Sequence, residues 1–309
     1  MSTLAIEIKN LTKIYTSKDN KIQPKKALEN IDLEVSQGQF YALLGENGAG
    51  KTTTIGIMTS LINKTSGKVS IMGIDIDRDF AKAKSYLGVV PQEFNFNIFE
   101  TVLEIVITQA GYYGIPLKVS IPKATQVLTD LGLGDKLHSL ANTLSGGMKR
   151  RLMIARALIH DPRILILDEP TAGVDVSLRY GMWEYLKKIN KENGVTVLLT
   201  THYLEEVEEL CDRAMILHNG KRVLEDSVFN LINSVDKETY IIDCKNQVNL
   251  EGIELTILKK TDNTLEILVD KNLTINLLVE QLNSKGLIIS GIRPKGNRLE
   301  TLFLKIINN

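Results

Sequence analysis

Apolar and polar positions alternate from Leu4 to Tyr15, with Leu4, Ile6 and Ile8 set against Glu7 and Lys9, and a period of two predicts a strand. The polar run from Thr16 to Lys26 reads as a hairpin tip. Ile31, Leu33 and Val35 then alternate with Asp32 and Glu34 before a Gln37-Gly38 turn, so an antiparallel hairpin or small sheet opens the chain. Phe40 to Leu44 is apolar throughout and has the length of a strand buried on both faces. A glycine-rich turn comes next, and a helix opens at Lys51 with apolar positions through Leu61. After Ser66-Gly67, residues Val69, Ile71 and Ile74 predict another β segment, and Leu87 to Val90 a short strand ending at Pro91-Gln92.

From Phe96 to about Leu140 the period changes to that of a helix. Phe99, Val102, Val106 and Ala110 recur at helical spacing, as do Ala124, Val127, Leu128 and Leu131, with Pro116 and Pro122 expected to break the segment. Leu144 to Arg151 opens a further helix that runs to about Ile159. Two more buried strands are expected at Arg163–Leu167 and Val195–Thr200, then a helix from Tyr203 to Cys211 and a β segment from Ala214 to Leu224. Beyond about Asn230 the pattern predicts strands at 239–244, 254–258, 264–269 and 287–292. Helices are expected there at 275–285 and 299–307.

Composition changes little in this picture. The 309 residues are 43% hydrophobic and 24% charged with zero formal net charge, ordinary values for a globular protein of about two domains. From Leu231 onward ten basic and ten acidic residues balance, so no nucleic-acid footprint is expected there. Cys211 and Cys244 stand far apart without metal-ligand spacing, which argues against a disulfide framework and suits a reducing compartment. The first residues lack the basic start and apolar core of a signal peptide. No uncharged apolar run reaches the roughly 20 residues that span a bilayer, so a membrane role is expected to come through a partner.

The candidate chemistry gathers at strand ends. Gly45-Glu46-Asn47-Gly48-Ala49-Gly50-Lys51-Thr52-Thr53 has the spacing of a phosphate cradle between a strand and a helix. Backbone N–H groups and the helix dipole face an anion there, Lys51 reaches the β- and γ-phosphates, and the Thr52 hydroxyl can ligate Mg²⁺. Asp168 and Glu169 end the strand Arg163–Leu167 at the edge where parallel sheets bind ligands. Asp168 suits Mg²⁺ and Glu169 is placed to polarise a water. Gln92 and His202 end two other strands at the same edge; each is open to a ligand or to an ordinary structural role. Tyr15 is either a base-stacking aromatic or plain packing. The aromatics Phe94, Phe96, Phe99, Tyr112 and Tyr113 are either core or a docking surface. Ser145-Gly146-Gly147 makes a second anion-binding helix start, one more than a single phosphate group needs.

With these pieces in one order, residues 4–230 resemble the ATPase subunit of an ABC transporter, Leu144-Ser145-Gly146-Gly147 being the most specific element. The resemblance implies an α/β fold: a P-loop NTPase core over residues 1–230 with an antiparallel β subdomain and a helical insert at about 93–147. A small C-terminal α+β accessory domain over 231–309 completes it. It also implies that two copies pair head to tail around two ATP molecules, each held between one chain's phosphate loop and the other's serine-glycine-glycine helix start. By this resemblance Tyr15 stacks on adenine, Gln92 touches Mg²⁺, Asp168 is the magnesium aspartate and Glu169 the catalytic glutamate. His202 contacts the γ-phosphate, and Ala172-Gly173-Val174-Asp175 is the loop that communicates across the dimer.

Met148 stands where that family usually has glutamine, and Glu46 where it often has proline. The wording Leu-Ser-Gly-Gly-Met-Lys-Arg-Arg with Ala-Gly-Val-Asp is similar to the bacterial export branch of daunorubicin-resistance ATPases. That branch implies a separate multi-spanning permease subunit and a place on the cytoplasmic face of the cell membrane. The expected function is therefore ATP hydrolysis powering an exporter. An importer ATPase is the alternative within the superfamily. A soluble ATPase acting on ribosomes or DNA is the alternative outside transport. The single phosphate loop, and the mere fifty residues or so between Gln92 and Ser145, speak against that last reading.

Overall fold

The computed structural model describes residues 3–16, 23–171, 174–235, 237–246, 255–270 and 272–307. The chain divides into two compact units, Met1–Glu225 and Asp226–Asn309.

In the first unit, β1 (Leu4–Tyr15) pairs antiparallel with β2 (Lys25–Ser36) and with β4 (Ser66–Ile71), and β5 (Ile74–Asp75) completes a four-stranded sheet. Alternation is the reason: Ile6, Ile8, Leu33, Val35, Val69 and Ile71 are buried while the charged residues between them face out. The expected hairpin tip lies largely at 17–22, outside the described residues.

The second sheet runs in the order β10-β9-β3-β8-β7-β6, from β3 (Phe40–Leu44), β6 (Leu87–Val90), β7 (Ile164–Asp168), β8 (Thr196–Thr201), β9 (Arg213–His218) and β10 (Lys221–Ser227). β6, β7, β8, β3 and β9 pair in parallel, and every residue of β3, β7 and β8 is buried. The antiparallel sheet and this one share a buried cluster that includes Ile6, Leu33, Tyr41, Leu43, Ile166 and Leu198, with Ile55, Ile57 and Met58 of α1 (Lys51–Met58). All five parallel strands end on one edge.

The helical part holds α3 (Val102–Tyr112), α4 (Leu117–Asp130) and the start of α5 (Gly146–Leu158), after the short α2 (Phe80–Ser85). Two expectations change here. Pro122 does not break the segment but sits inside α4, where it removes one helical N–H donor. Buried Ser120, Ala124 and Leu128 on one face of α4 outweigh that loss. Phe99 lies before α3 and is exposed, because Thr101 caps the helix through a capping box with Glu104 and fixes its start at Val102. An element the periodicity did not announce is α6 (Val176–Asn193), which runs from Asp175 to a left-handed Gly194 and buries Met182, Trp183 and Leu186. The helix after β8 is α7 (Leu204–Leu210).

The second unit is a sheet in the order β12-β13-β11-β14, built from β11 (Lys237–Cys244), β12 (Thr256–Lys260), β13 (Thr264–Asp270) and β14 (Ile289–Pro294). All its pairings are antiparallel. Ile242, Leu265, Ile267 and Val269 pack against Leu278 and Leu282 of α9 (Ile275–Ser284). The unit also holds α8 (Val228–Asn233) and α10 (Arg298–Ile307), the latter burying Leu299 and Leu302.

Both cysteines are free and buried. Burial pushes the Cys211 thiol well up, with Asp212 and Glu206 adding to it, and pushes Cys244 up beside Asp243. Because the thiolate is the nucleophile, iodoacetamide at mildly alkaline pH should label the native chain far more slowly than the chain unfolded in guanidinium. Equal labelling rates in the two states would contradict the packing around Cys211 and Cys244.

Candidate active site

The turn after β3 is shaped by three glycines in the positive-φ region or at its margin, Gly45 at 158°, Gly48 at 86° and Gly50 at 114°. At Gly50 a Cβ would fall 2.6 Å from Leu28 Cδ2 and 2.9 Å from the Ala27 carbonyl, so only glycine fits. At Gly48 a Cβ would meet nothing within 4 Å, which leaves the inner side of the loop open to a ligand. Helix α1 begins after Gly50 without a side-chain cap, so its first N–H groups remain for an anion. Lys51 is buried and its Nζ donates to the carbonyls of Gly45 at 2.6 Å and Glu46 at 3.1 Å. Burial lowers its pKa, and the carboxylates of Glu169, Asp168 and Glu46 oppose that shift.

A cleft of about 190 Å³ lies over this turn, lined by Tyr15, Lys25, Ala27, Glu46, Asn47, Gly48, Gly50, Lys51, Thr52, Thr53, Gln92 and Glu169. Tyr15 closes one side, its hydroxyl 3.5 Å from Thr53 Oγ1 and its ring 4.7 Å from Lys13 Nζ. Opposite, Gln92 Nε2 donates to Glu169 Oε2 at 3.4 Å, and His202 Nδ1 lies 3.3 Å from the same oxygen. Three strand ends therefore converge on one carboxylate. Glu169 is a non-glycine residue at φ 48°, held there by its N–H bonding to the Thr200 carbonyl at 3.0 Å and to Thr200 Oγ1 at 3.3 Å. Such strain gathers where function needs a side chain aimed. Asp168 sits one residue deeper, buried, and accepts from Thr200 Oγ1. Burial raises its pKa most; the Thr200 hydrogen bond works against that and the Glu169 charge with it.

The donor set fits a triphosphate with a divalent ion. Among the described residues no group of three or more His, Cys, Asp and Glu could hold a metal unaided. Mg²⁺ takes one or two protein ligands and completes its shell with phosphate and water, and Thr52, Asp168 and Gln92 are the groups at hand.

Ser145, Gly146, Gly147 and Asp175 do not line this cleft. Ser145 caps α5 by accepting from Met148 N–H, and Gly146 is exposed with nothing within 4 Å of a Cβ. Gly147 instead faces inward, where a Cβ would fall 2.8 Å from Leu178 Cδ1. Asp175 is exposed at the start of α6 and makes no side-chain cap; Ala172 and Gly173 of the same loop lie outside the described residues. Residues not anticipated from sequence are Thr200, Lys25 and Arg150. The guanidinium of Arg150 donates to the carbonyls of Pro91 at 2.8 Å and Gln92 at 2.9 Å. Its spacing from Gly147 and Ile154, three and four positions away on one helix face, is the signal that marks it as inward.

Residues 28–172 match the family model described as ABC transporter. The chain is 37% identical over 234 residues to the Nod factor export ATP-binding protein I of Burkholderia orbicola (strain AU 1054), covering 76% of this chain and 74% of that one. The chain belongs to the ABC transporter family. This ABC ATPase is also 36% identical over 248 residues to the linearmycin resistance ATP-binding protein LnrL of Bacillus subtilis (strain 168), covering 80% and 76%. Among solved structures, a dimeric ATP-binding cassette in a post-hydrolysis state, bound to ADP and Pi, matches with TM-score 0.65 and 29% identity over 72% of this chain and 98% of that one. An ATP binding subunit of an ABC transporter matches with TM-score 0.66 and 28% identity over 74% and 92%. The α/β fold expected from sequence, a phosphate-loop core with an antiparallel sheet and a helical region, is that of these cassettes.

The pH response of Asp168 is set by its burial. Its folded pKa is raised, so its contribution to stability is present below the unfolded value and is lost as pH rises through the folded one. In the nucleotide-free ABC ATPase, Asp168→Asn should therefore gain thermal midpoint relative to the parent as pH rises from about 4 to about 7. A midpoint difference that does not change with pH would contradict the assignment.

Proposed function

We propose that this ABC ATPase powers an exporter through a separate multi-spanning permease, working as a head-to-tail pair of copies closed around ATP and Mg²⁺. The observation that carries the hydrolytic part is the convergence of Gln92 and His202 on the strained Glu169 at the mouth of the Gly45–Thr53 cradle. Export as the direction is supported by the named roles of relatives in Nod factor export and linearmycin resistance.

In this reading the cradle N–H groups and Lys51 bind the phosphates, and Lys51 leaves its loop carbonyls to do so. Tyr15 stacks on the base at the far side of the cleft. Glu169 holds the attacking water and accepts its proton as the oxygen approaches the γ-phosphorus, and ADP leaves with the bridging oxygen. Gln92 and His202 fix the Glu169 carboxylate and contact the terminal phosphate. Thr52, Asp168 and Gln92 would hold a Mg²⁺ ion, which would supply charge neutralisation to the phosphates.

The exposed Ser145 and Gly146 at the start of α5, which do not line the chain's own cleft, are the groups a second copy's nucleotide engages; Gly147 gives the helix its seat and Asp175 faces the partner. Among the described residues no helix is long and apolar enough to cross a membrane. Attachment to the cytoplasmic face is therefore assigned to the permease.

Glu169→Gln should cut ATP turnover about a hundred-fold or more, the usual worth of a positioned base, with nucleotide affinity retained. Parent-like turnover in that variant would remove the base assignment. For the transport part, tagged chain extracted from membranes of its native cell should bring down a stoichiometric multi-spanning protein. Ribosomes or DNA in place of such a protein would overturn the exporter reading.

A further inference from the structure

The loop after β6 carries Gln92 into the site, yet this loop has little secondary structure of its own to hold it. What holds it is α5. Arg150 is buried, 3% exposed, and its fork of N–H groups spans two successive carbonyls, those of Pro91 and Gln92. Its guanidinium carbon also lies 5.1 Å from the centre of the Phe94 ring. One and a half turns further along α5, Arg156 donates to the Asn95 carbonyl at 3.0 Å and to the Asn95 side chain. Two arginines of one helix therefore pin the segment 91–95 by its backbone at both ends. A planar guanidinium suits paired carbonyls because its donors are fixed relative to one another, whereas a lysine ammonium is a point donor on a flexible stem. Arg150 is also close enough to Asp168 and Glu169 for their charges to act on it.

We propose that Arg150 is the positioning residue that sets the Gln92 amide against Glu169. This rests on the reading of Gln92 and Glu169 as one hydrolytic centre. Arg150 does not line the nucleotide cleft; it acts by fixing the backbone from which the Gln92 side chain springs. Its place on the helix gives that link a direction. Arg150 stands five residues from Ser145, about 7.5 Å along the axis at the usual helical rise. A displacement of the exposed α5 start by a second copy's nucleotide reaches Gln92 through less than two turns of hydrogen-bonded helix. One end of α5 thus faces the partner's site and its middle governs the chain's own.

The test is steady-state ATP hydrolysis by the full chain carrying Arg150→Met, Arg150→Lys, Gln92→Ala and the Gln92→Ala/Arg150→Met pair. Loss of the fork misplaces Gln92 without touching the cradle, so Arg150→Met should lower kcat about ten-fold with KM for ATP within about two-fold. Arg150→Lys should recover part of that loss, and it keeps the buried charge if the Met variant folds poorly. Because Arg150 acts through Gln92, the pair should be no slower than Gln92→Ala alone within about two-fold. Losses that multiply in the pair, an Arg150→Met chain at parent kcat, or a loss confined to KM would each overturn the proposal. A parent chain without ATP hydrolysis, or Gln92→Ala at parent rate, would overturn the hydrolytic centre itself and is told apart from failure of Arg150 by those two controls.

Discussion

Helix α1 follows a fully buried strand by way of the Gly45–Gly50 turn, and among the described residues no side chain caps it. The first N–H groups of a helix need acceptors, and here the glycines that lead into it leave no side chain to supply them. The Gly50 position excludes even a methyl group, while the Gly48 position is open. An anion is what satisfies that helix end. The Lys51 ammonium beside it turns back onto the Gly45 and Glu46 carbonyls, the acceptors nearest to hand. The sheet dictates the rest of the site. Because β3, β6, β7 and β8 are parallel and in register, the residues just past the end of each strand arrive at the same edge. The cradle, Gln92, Glu169 and His202 come from four separate stretches of sequence and meet within hydrogen-bonding reach of one carboxylate or one cleft.

That logic explains what could be read from the amino-acid pattern. Strands β3, β7 and β8 announce themselves as unbroken apolar runs because both their faces are covered, and the residues that end them inherit a position from the sheet. Helix α6 hides because its last turns, Lys187 to Asn193, are polar but for Ile189, which leaves Leu178, Met182, Trp183 and Leu186 as a short apolar stretch. Pro122 misleads because a local rule about one N–H is outweighed by the packing of a whole helix face. Arg150 reads as one more base in Lys149-Arg150-Arg151, since sequence does not say which arginine of a pair turns inward or that two loop carbonyls wait for it. The role of Ser145 and Gly146 is illegible from one chain for a different reason. What they are proposed to face belongs to another molecule, and only the resemblance to ABC ATPases assigns them a ligand.

The second unit obeys the same packing physics, and among its described residues no candidate site gathers at the strand ends. Its antiparallel sheet covers one face with α9, and its charged side chains pair locally, as Arg298 with Glu238 and Lys295 with Glu266. The candidate site residues named above all belong to the first unit, where a parallel sheet creates an edge.

In the proposed function the phosphate cradle is half of a site, completed by the α5 start of a second copy. Mixed dimers of a Lys51→Ala chain with a Ser145→Ala chain test this most directly, with trapped nucleotide counted per dimer. Head-to-tail pairing places both lesions in the same composite site and leaves the other intact, so one nucleotide per mixed dimer is expected. A Ser145→Ala homodimer, with one lesion in each composite site, should trap none; two nucleotides trapped there, or none in the mixed dimer, would contradict the shared site.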